Sequence, residues 1–276
     1  AYFKGFMYLM LLLMTLWIWQ PLAESSSRRD RRSATFFDVG QGDAAFLECD
    51  GRTFLIDTGP GFEQYSIAET LLLPMLRSAG ARRLDGVFIS HLHADDSGGL
   101  ETIMKHMPVE RIYCRKSAAD SLRTFYGDRI IALSAGDSLA FPGGGMLILA
   151  APAGERAGIG ENNLSLVFRF DAGCDRFLFT GDIESQAQRD LTAWKDRLRA
   201  DILKAPHHGA QGLDREFLAA VRPHTAIISC GLNNRFGHPA ESTLSLLSEI
   251  DCRTLRTDRD GTVVIDTGFS WKEPRR

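Results

Sequence analysis

Gly86-Val87-Phe88-Ile89-Ser90-His91-Leu92-His93-Ala94-Asp95-Asp96-Ser97-Gly98-Gly99-Leu100 is the stretch on which the fold turns. Its apolar start, Gly86 to Ile89, reads as a short buried strand, and Gly98 to His106 reads as a helix. His91 and His93 alternate with Asp95, and Asp96 follows directly. A turn leaving a rigid strand can bring four such side chains to one point. Imidazole nitrogens beside carboxylate oxygens suit a pair of zinc, manganese or iron ions better than calcium. A polar loop with two hydrogen-bonded histidines competes as a reading of His-x-His taken alone. The adjacent carboxylates and the Gly-Gly helix entry favour the metal.

The chain of 276 residues is 44% hydrophobic and 24% charged, enough to bury a sizeable core and unlike a disordered protein. A formal net charge of −3 gives no global attraction to nucleic acid, so any such contact needs a local basic patch. Five scattered cysteines, Cys49, Cys114, Cys174, Cys230 and Cys252, include no C-x-x-C pair. They read as free thiols, with one disulfide as the alternative.

Working outward toward the N-terminus, Gly5 to Ala23 carries no charged residue and ends with Trp17 and Trp19. Residues 1–24 are therefore expected to form a transmembrane helix, the last of a longer protein whose C-terminal piece is this chain. A signal peptide is the rival reading, against which stand the Ala1 start and the lack of a cationic region beyond Lys4. Residues 25–33 form a linker with Arg28, Arg29, Arg31 and Arg32. By the positive-inside rule these arginines would place the following domain in the cytoplasm. They could equally touch lipid head groups or nucleic acid, and a solvated linker is the plain reading.

Residues 34–276 read as one domain. Thr35 to Val39 runs into the turn Gly40-Gln41-Gly42-Asp43, Ala44 to Cys49 is a second strand, and Asp50-Gly51 is a hairpin signal before Thr53 to Asp57. An amphipathic helix is expected over Ile67 to Ala79. Beyond the histidine motif, strands are expected at Arg111 to Cys114, Ile130 to Leu133 and Met146 to Ala150. A second half repeats the style, with strands at Leu164 to Phe170, Arg176 to Thr180, Asp201 to Ala205, Thr225 to Cys230 and Thr262 to Asp266. Its helices are expected at Ser185 to Trp194, Asp214 to Val221 and Glu241 to Ile250. Strand-rich blocks alternating with single helices in two halves predict an α/β fold of two sheets packed face to face with helices outside, a four-layer αββα sandwich.

Asp38 and Asp43 flank a glycine turn, where either could simply stabilise the turn. Asp182, after Thr180-Gly181, could be a helix N-cap. Taken together, Asp57, His91, His93, Asp95, Asp182, His207, His208 and His238 all fall at or just after strand ends, where sites are built on a sheet scaffold. His106 and His224 lack that setting and read as structural or surface residues.

The block from His91 to Asp96 resembles the His-x-His-x-Asp-His signature of the metallo-β-lactamase superfamily, with Asp96 where the family has its last histidine. A carboxylate there is harder than an imidazole and would favour manganese or magnesium over zinc. Phe37 to Asp43, Leu55 to Gly59, Glu161-Asn162-Asn163-Leu164-Ser165, Thr180-Gly181-Asp182, His207-His208-Gly209 and Gly237-His238-Pro239 come in one order. That series is similar to the C-terminal metallo-β-lactamase-like domain of ComEC-type DNA-internalisation competence proteins, from about Thr35 to the end.

The resemblance implies two divalent ions, manganese or zinc. His91 and His93 would hold the first, Asp95 and His238 the second, with Asp96 at the second ion's remaining position and Asp182 bridging. Asn162-Asn163 stands where the superfamily's middle histidine is absent. His207 and His208 would support the centre or donate a proton to the leaving group, Asp57 would orient a ligand, and Asp38 and Asp43 would support the same edge. The activity implied is a nuclease that degrades the DNA strand not imported. Its partners would be single-stranded DNA, the membrane and the channel region of the same longer chain. The resemblance expects the domain on the periplasmic or extracellular side of the plasma membrane, against the arginine count. Two alternatives stand: a metal-poor domain that guides DNA or binds partners, and a hydrolase of small esters or β-lactams.

Overall fold

The computed structural model describes residues 10, 14, 31–62, 65–152 and 160–267. The expected transmembrane helix and most of the arginine linker lie outside the described residues, among which no helix is long and apolar enough to cross a membrane. The first strand, β1 (Arg32–Phe36), already includes the last arginine of that linker.

β1 is followed by β2 (Ala45–Cys49) and β3 (Arg52–Ile56), joined at the Asp50-Gly51 hairpin. Next come β4 (Gly86–Phe88), β5 (Ile112–Arg115) and β6 (Ile130–Leu133). The second half supplies β7 (Ser138–Phe141), β8 (Gly144–Ala150), β9 (Val167–Ala172), β10 (Asp175–Phe179), β11 (Ile202–Lys204), β12 (Thr225–Ile228) and β13 (Arg253–Arg256). The last strand, β14 (Val263–Asp266), returns to pair with β1. One seven-stranded sheet has the order β14-β1-β2-β3-β4-β5-β6 and the other β13-β12-β11-β10-β9-β8-β7. In each, one half is antiparallel and the other parallel: β3 to β6 in the first, β10 to β13 in the second.

Three apolar layers hold these sheets. Between them lies an aromatic core of Phe36, Phe54, Phe88, Phe168, Phe170, Phe177 and Phe179. Phe88 and Phe168 sit 5.0 Å apart, centroid to centroid, across the two sheets. Each such ring withdraws enough apolar surface to contribute about 1.5–3 kcal/mol. Outside the first sheet pack α1 (Leu73–Ser78), α3 (Leu100–His106) and α4 (Lys116–Tyr126) through Leu73, Leu76, Leu100, Ile103 and Ala119. The short α2 (Ala94–Ser97) precedes α3. Outside the second sheet pack α5 (Ser185–Leu191), α6 (Arg215–Val221) and α7 (Glu241–Glu249) through Leu191, Phe217, Val221 and Leu247. Helix, sheet, sheet, helix is the four-layer sandwich expected from the pattern.

Local differences have local causes. The helix expected over Ile67 to Ala79 is a wide turn, Ala68–Leu72, running into α1, because Pro74 near its start has no N–H to continue the ladder. The helix expected from Gly98 begins instead at Ala94 and breaks at Gly98-Gly99. There the chain passes so close to Gly61 that a Cβ on Gly98 would stand 2.3 Å from the Gly61 nitrogen. Helix α4 and strands β7 and β13 are elements beyond those expected from the pattern. All five cysteines are free, four of them buried and Cys174 exposed.

Candidate metal centre

Parallel strands end side by side, and their carboxyl ends carry the chemistry. Asp57 follows β3, Ser90 and His91 follow β4, Asp182 follows β10, and His207-His208 follow β11. The backbone at Asp57, His207 and His208 is left-handed, with φ of 55°, 48° and 54°. Each such residue costs about 1–3 kcal/mol, a cost that persists where the surroundings over-determine the conformation, as functional sites do. Gly42 (φ 141°) lets the first turn touch the start of α2: a Cβ there would lie 2.1 Å from the Asp95 carbonyl oxygen.

Asp182, His91, His208, Asp96 and Asp43 converge. Asp43, Asp182 and His208 form one triplet of donor atoms within 4.8 Å of one another, and His91, Asp96 and Asp182 form another. His91 Nε2 is 3.9 Å from Asp182 Oδ2, and His208 Nε2 is 3.4 Å from the same oxygen. All five side chains are buried. His91 Nε2, His208 Nε2 and Asp182 Oδ1 have no hydrogen-bond partner. A buried polar atom left unpaired costs about 1–3 kcal/mol, so a cluster of them facing one point is a site for a cation. The donor set therefore fits divalent ions.

The remaining expected residues stand at varying distances. His93 is exposed, its ring 4.6 Å from that of His91. Asp95 is partly exposed, with Oδ2 3.7 Å from His208 Nε2. His238 closes the other side, its ring 5.6 Å from His207 and 6.2 Å from His208, with a buried, unpartnered Nδ1. His207 sits at the mouth, 3.9 Å from Asp182 and 3.4 Å from Asn162 Nδ2. Asp57 stands behind β4, where one oxygen accepts the Ser90 N–H at 2.8 Å. Asp38 does not join the cluster: its carboxylate accepts the Gly40 N–H at 3.2 Å, the turn-stabilising alternative.

One participant went unread. Lys204, the last residue of β11, is buried and ion-paired to Asp43. Its signal in the sequence is a lone charge ending the apolar run Ile202-Leu203, directly before Ala205-Pro206-His207-His208. Serines were missed too: Ser165 Oγ accepts the Asp182 N–H at 3.1 Å, and Ser90 Oγ lies 2.9 Å from His91 Nδ1.

Burial acts on every charge here, and neighbours decide its outcome. Burial pushes Asp57 and Asp96 well above the usual carboxylate range, helped by Asp43 beside Asp57 and by Asp182 beside Asp96. Burial acts the same way on Asp182, but His208 and Lys204 outweigh it and hold that carboxyl far below its ordinary value. Asp43 is likewise held low, against burial, by Lys204 and His208. In return, against the pull of burial, Asp182 and Asp43 raise His208, and Asp43 and Asp182 raise Lys204. Burial keeps His91 and His238 low, and so more readily neutral ligands.

Residues 37–231 match the family model of the metallo-beta-lactamase superfamily. The chain is 33% identical over 249 residues to ComE operon protein 3 of Bacillus subtilis (strain 168), covering 82% of this chain and 32% of that protein. It is 30% identical over 238 residues to competence protein ComA of Neisseria gonorrhoeae, covering 86% of this chain and 32% of that one. The chain thus spans about a third of the length of these relatives. Among solved structures, the metallo-β-lactamase fold protein YhfI from Bacillus subtilis superposes with a TM-score of 0.57 at 11% identity, over 86% of this chain and 100% of that one. That likeness concerns the fold alone. The motif order read as similar to ComEC-type competence proteins agrees with these matches, and the chain belongs to the metallo-β-lactamase superfamily.

Proposed function

We propose that this domain is a metal-dependent phosphodiesterase that cleaves DNA during its uptake across a membrane, degrading the strand that is not imported. One observation carries the reading: two triplets of buried donor atoms share Asp182 at the carboxyl ends of parallel strands from both sheets. Divalent ions, manganese or zinc, supply Lewis-acid charge and lower the pKa of water when bound. His91, Asp182 and the imidazoles and carboxylates around them would hold such ions. Lys204 neutralises part of the carboxylate charge, so the pocket is attractive to cations without being prohibitively anionic. His207, partly exposed at the mouth and 3.9 Å from Asp182, would give a proton to the departing oxygen.

The rim supports a nucleic-acid substrate. Phe236 is 53% exposed, stacks at 5.8 Å on His238, and carries the Arg235 guanidinium 4.9 Å above its ring. Asn234 stiffens this loop by accepting the His238 N–H at 3.0 Å and donating to the His238 carbonyl at 2.6 Å. An exposed, rigid aromatic face beside a cation is a platform on which a base can stack while its phosphate enters the site. The name of the Neisseria gonorrhoeae relative adds the setting of competence. In that setting the domain sits outside the membrane beside the channel region of a longer chain.

The test is cleavage of end-labelled single-stranded DNA by the purified chain with manganese or zinc. Cleavage abolished by a chelator and by Asp182→Ala supports the reading. Turnover of nitrocefin without turnover of DNA would overturn it in favour of a β-lactam or ester hydrolase.

A further inference from the structure

Between β12 and α7 the chain runs along the rim of the cleft as one loop, Gly231-Leu232-Asn233-Asn234-Arg235-Phe236-Gly237-His238. Its two feet are tied to turns of the centre. The Gly231 N–H donates to Gln41 Oε1 at 3.2 Å, and the Ala240 N–H donates to the Gly209 carbonyl at 2.9 Å. Between the feet stand two successive turns that share Asn234. The Asn234 N–H donates to the Gly231 carbonyl at 3.3 Å, and the Gly237 N–H to the Asn234 carbonyl at 3.4 Å. Asn233, the third residue of the first turn, has a φ of 54°, which asparagine tolerates better than most residues. Asn234 Nδ2 braces both turns by donating to the Gly231 carbonyl at 2.9 Å and the His238 carbonyl at 2.6 Å.

The tips of these turns carry Leu232 and Phe236, 72% and 53% exposed. Beyond residue 31, the other large exposed apolar side chains among the described residues, Leu71, Phe125, Ile250 and Val264, stand one to an element, as on an ordinary surface. Here two share one braced loop beside a cleft. Phe236 ends a row of near-parallel rings, at 27° and 5.8 Å from His238, which is itself at 26° and 6.2 Å from His208. An aliphatic tip has no such face, so base stacking on Phe236 leaves Leu232 without a task.

The centre behind the loop is buried, with His91, Asp182 and His208 at most 2% exposed. A phosphate still held in a duplex therefore meets the rim before it meets the cluster. Leucine and phenylalanine are side chains that wedge between base steps and unstack them, and a terminal pair, stacked on one side only, resists least. We propose that Leu232 and Phe236 form a wedge that opens the end of a DNA duplex, Leu232 parting the terminal pair and Phe236 receiving the freed base. The substrate is then the frayed end of a double strand, a proposal that rests on the DNA reading above and deepens it. Arg235, its guanidinium 4.9 Å from the centre of the Phe236 ring, supplies the cation for the adjoining phosphate.

The experiment places a fluorescent adenine analogue that brightens on unstacking in the terminal pair of a blunt DNA duplex. The purified chain is added in the presence of a chelator, so that nothing is cut. A second duplex carries the analogue at its centre, and a dye-labelled single strand of the same sequence reports affinity by anisotropy. The native chain is expected to raise the terminal signal and leave the central one flat. Leu232→Ala is expected to lose that rise while its single-strand affinity stays within about twofold, as for a surface substitution. Leu232→Met, which keeps an apolar tip, is expected to retain the rise. Duplex binding with a flat terminal signal, or a rise that survives Leu232→Ala, overturns the wedge and leaves the nuclease reading standing. Self-association lost by Leu232→Ala in sedimentation, with no effect on DNA ends, assigns the loop to a second copy of the chain and overturns it as well. Binding of neither duplex nor single strand sinks the wedge and the DNA reading together.

Discussion

Replacing Lys204 by methionine tests whether the centre is held by charge balance. Lys204 is 4% exposed and its ammonium pairs with Asp43, which is 5% exposed. Methionine preserves length and apolar contact but takes the ammonium away from buried Asp43, leaving it only His208. Breaking a buried pair from one side costs about 3–5 kcal/mol, because the remaining charge is uncompensated. For a domain of this size, each kcal/mol moves the melting temperature by about 2–4 °C, so a fall of roughly 6–20 °C is expected in the metal-free protein. Adding Asp43→Asn to Lys204→Met removes the orphaned charge and is expected to restore most of the loss, a coupling read from a double-mutant cycle. Calorimetry in the presence of a chelator measures all three variants. A loss under about 1 kcal/mol for Lys204→Met, the value of a surface pair, would refute the claim that this lysine is a buried structural counter-ion.

Two further outcomes follow from other parts of the molecule. Asp85 accepts the Thr53 N–H at 2.9 Å and pairs with Arg52 at 2.8 Å and Arg83 at 3.0 Å. Burial raises it, but these partners hold it below the ordinary carboxylate range. A depressed folded value means that its stabilisation is present above about pH 4 and lost as the pH falls through the lower, folded value. Asp85→Asn is therefore expected to cost about 1–2 kcal/mol in urea at pH 7, reduced from the full charged value because both arginines are half exposed. The cost should shrink below pH 4, and a pH-independent cost would contradict the assignment. Phe236→Ala is expected to raise the KM for single-stranded DNA by about 5–150-fold, the range of one lost base stack, with kcat little changed. An equal effect on an abasic oligonucleotide would remove the stacking platform.

Much of this protein was legible in one dimension because its signals are local. Gly86-Val87-Phe88 reads as a buried strand whatever surrounds it, and Asp50-Gly51 specifies a hairpin through its own backbone preferences. Their alternation with helices in two halves already implied two sheets with helices outside. The motifs ending strands β3, β4, β10 and β11 marked the edge where a site would lie. Asp38 shows the limit of such reading, since a carboxylate beside a glycine turn looks the same whether it serves the turn or a cleft.

What the tertiary structure alone decided is which atoms face one another. Lys204 and Asp43 are 161 positions apart in the numbering of the chain and meet only because strands of different sheets end at the same edge. Asp95 and Asp96 are neighbours in sequence, yet α2 begins at Ala94 and its pitch sends one to the cleft and the other behind His91. The ring nitrogen that His208 presents depends on the Ser229 carbonyl at the end of another strand. Residue type and spacing name the candidates for a metal site, because ligand chemistry belongs to the side chain. Their roles depend on direction and burial, which are properties of packed neighbours and have no local signature.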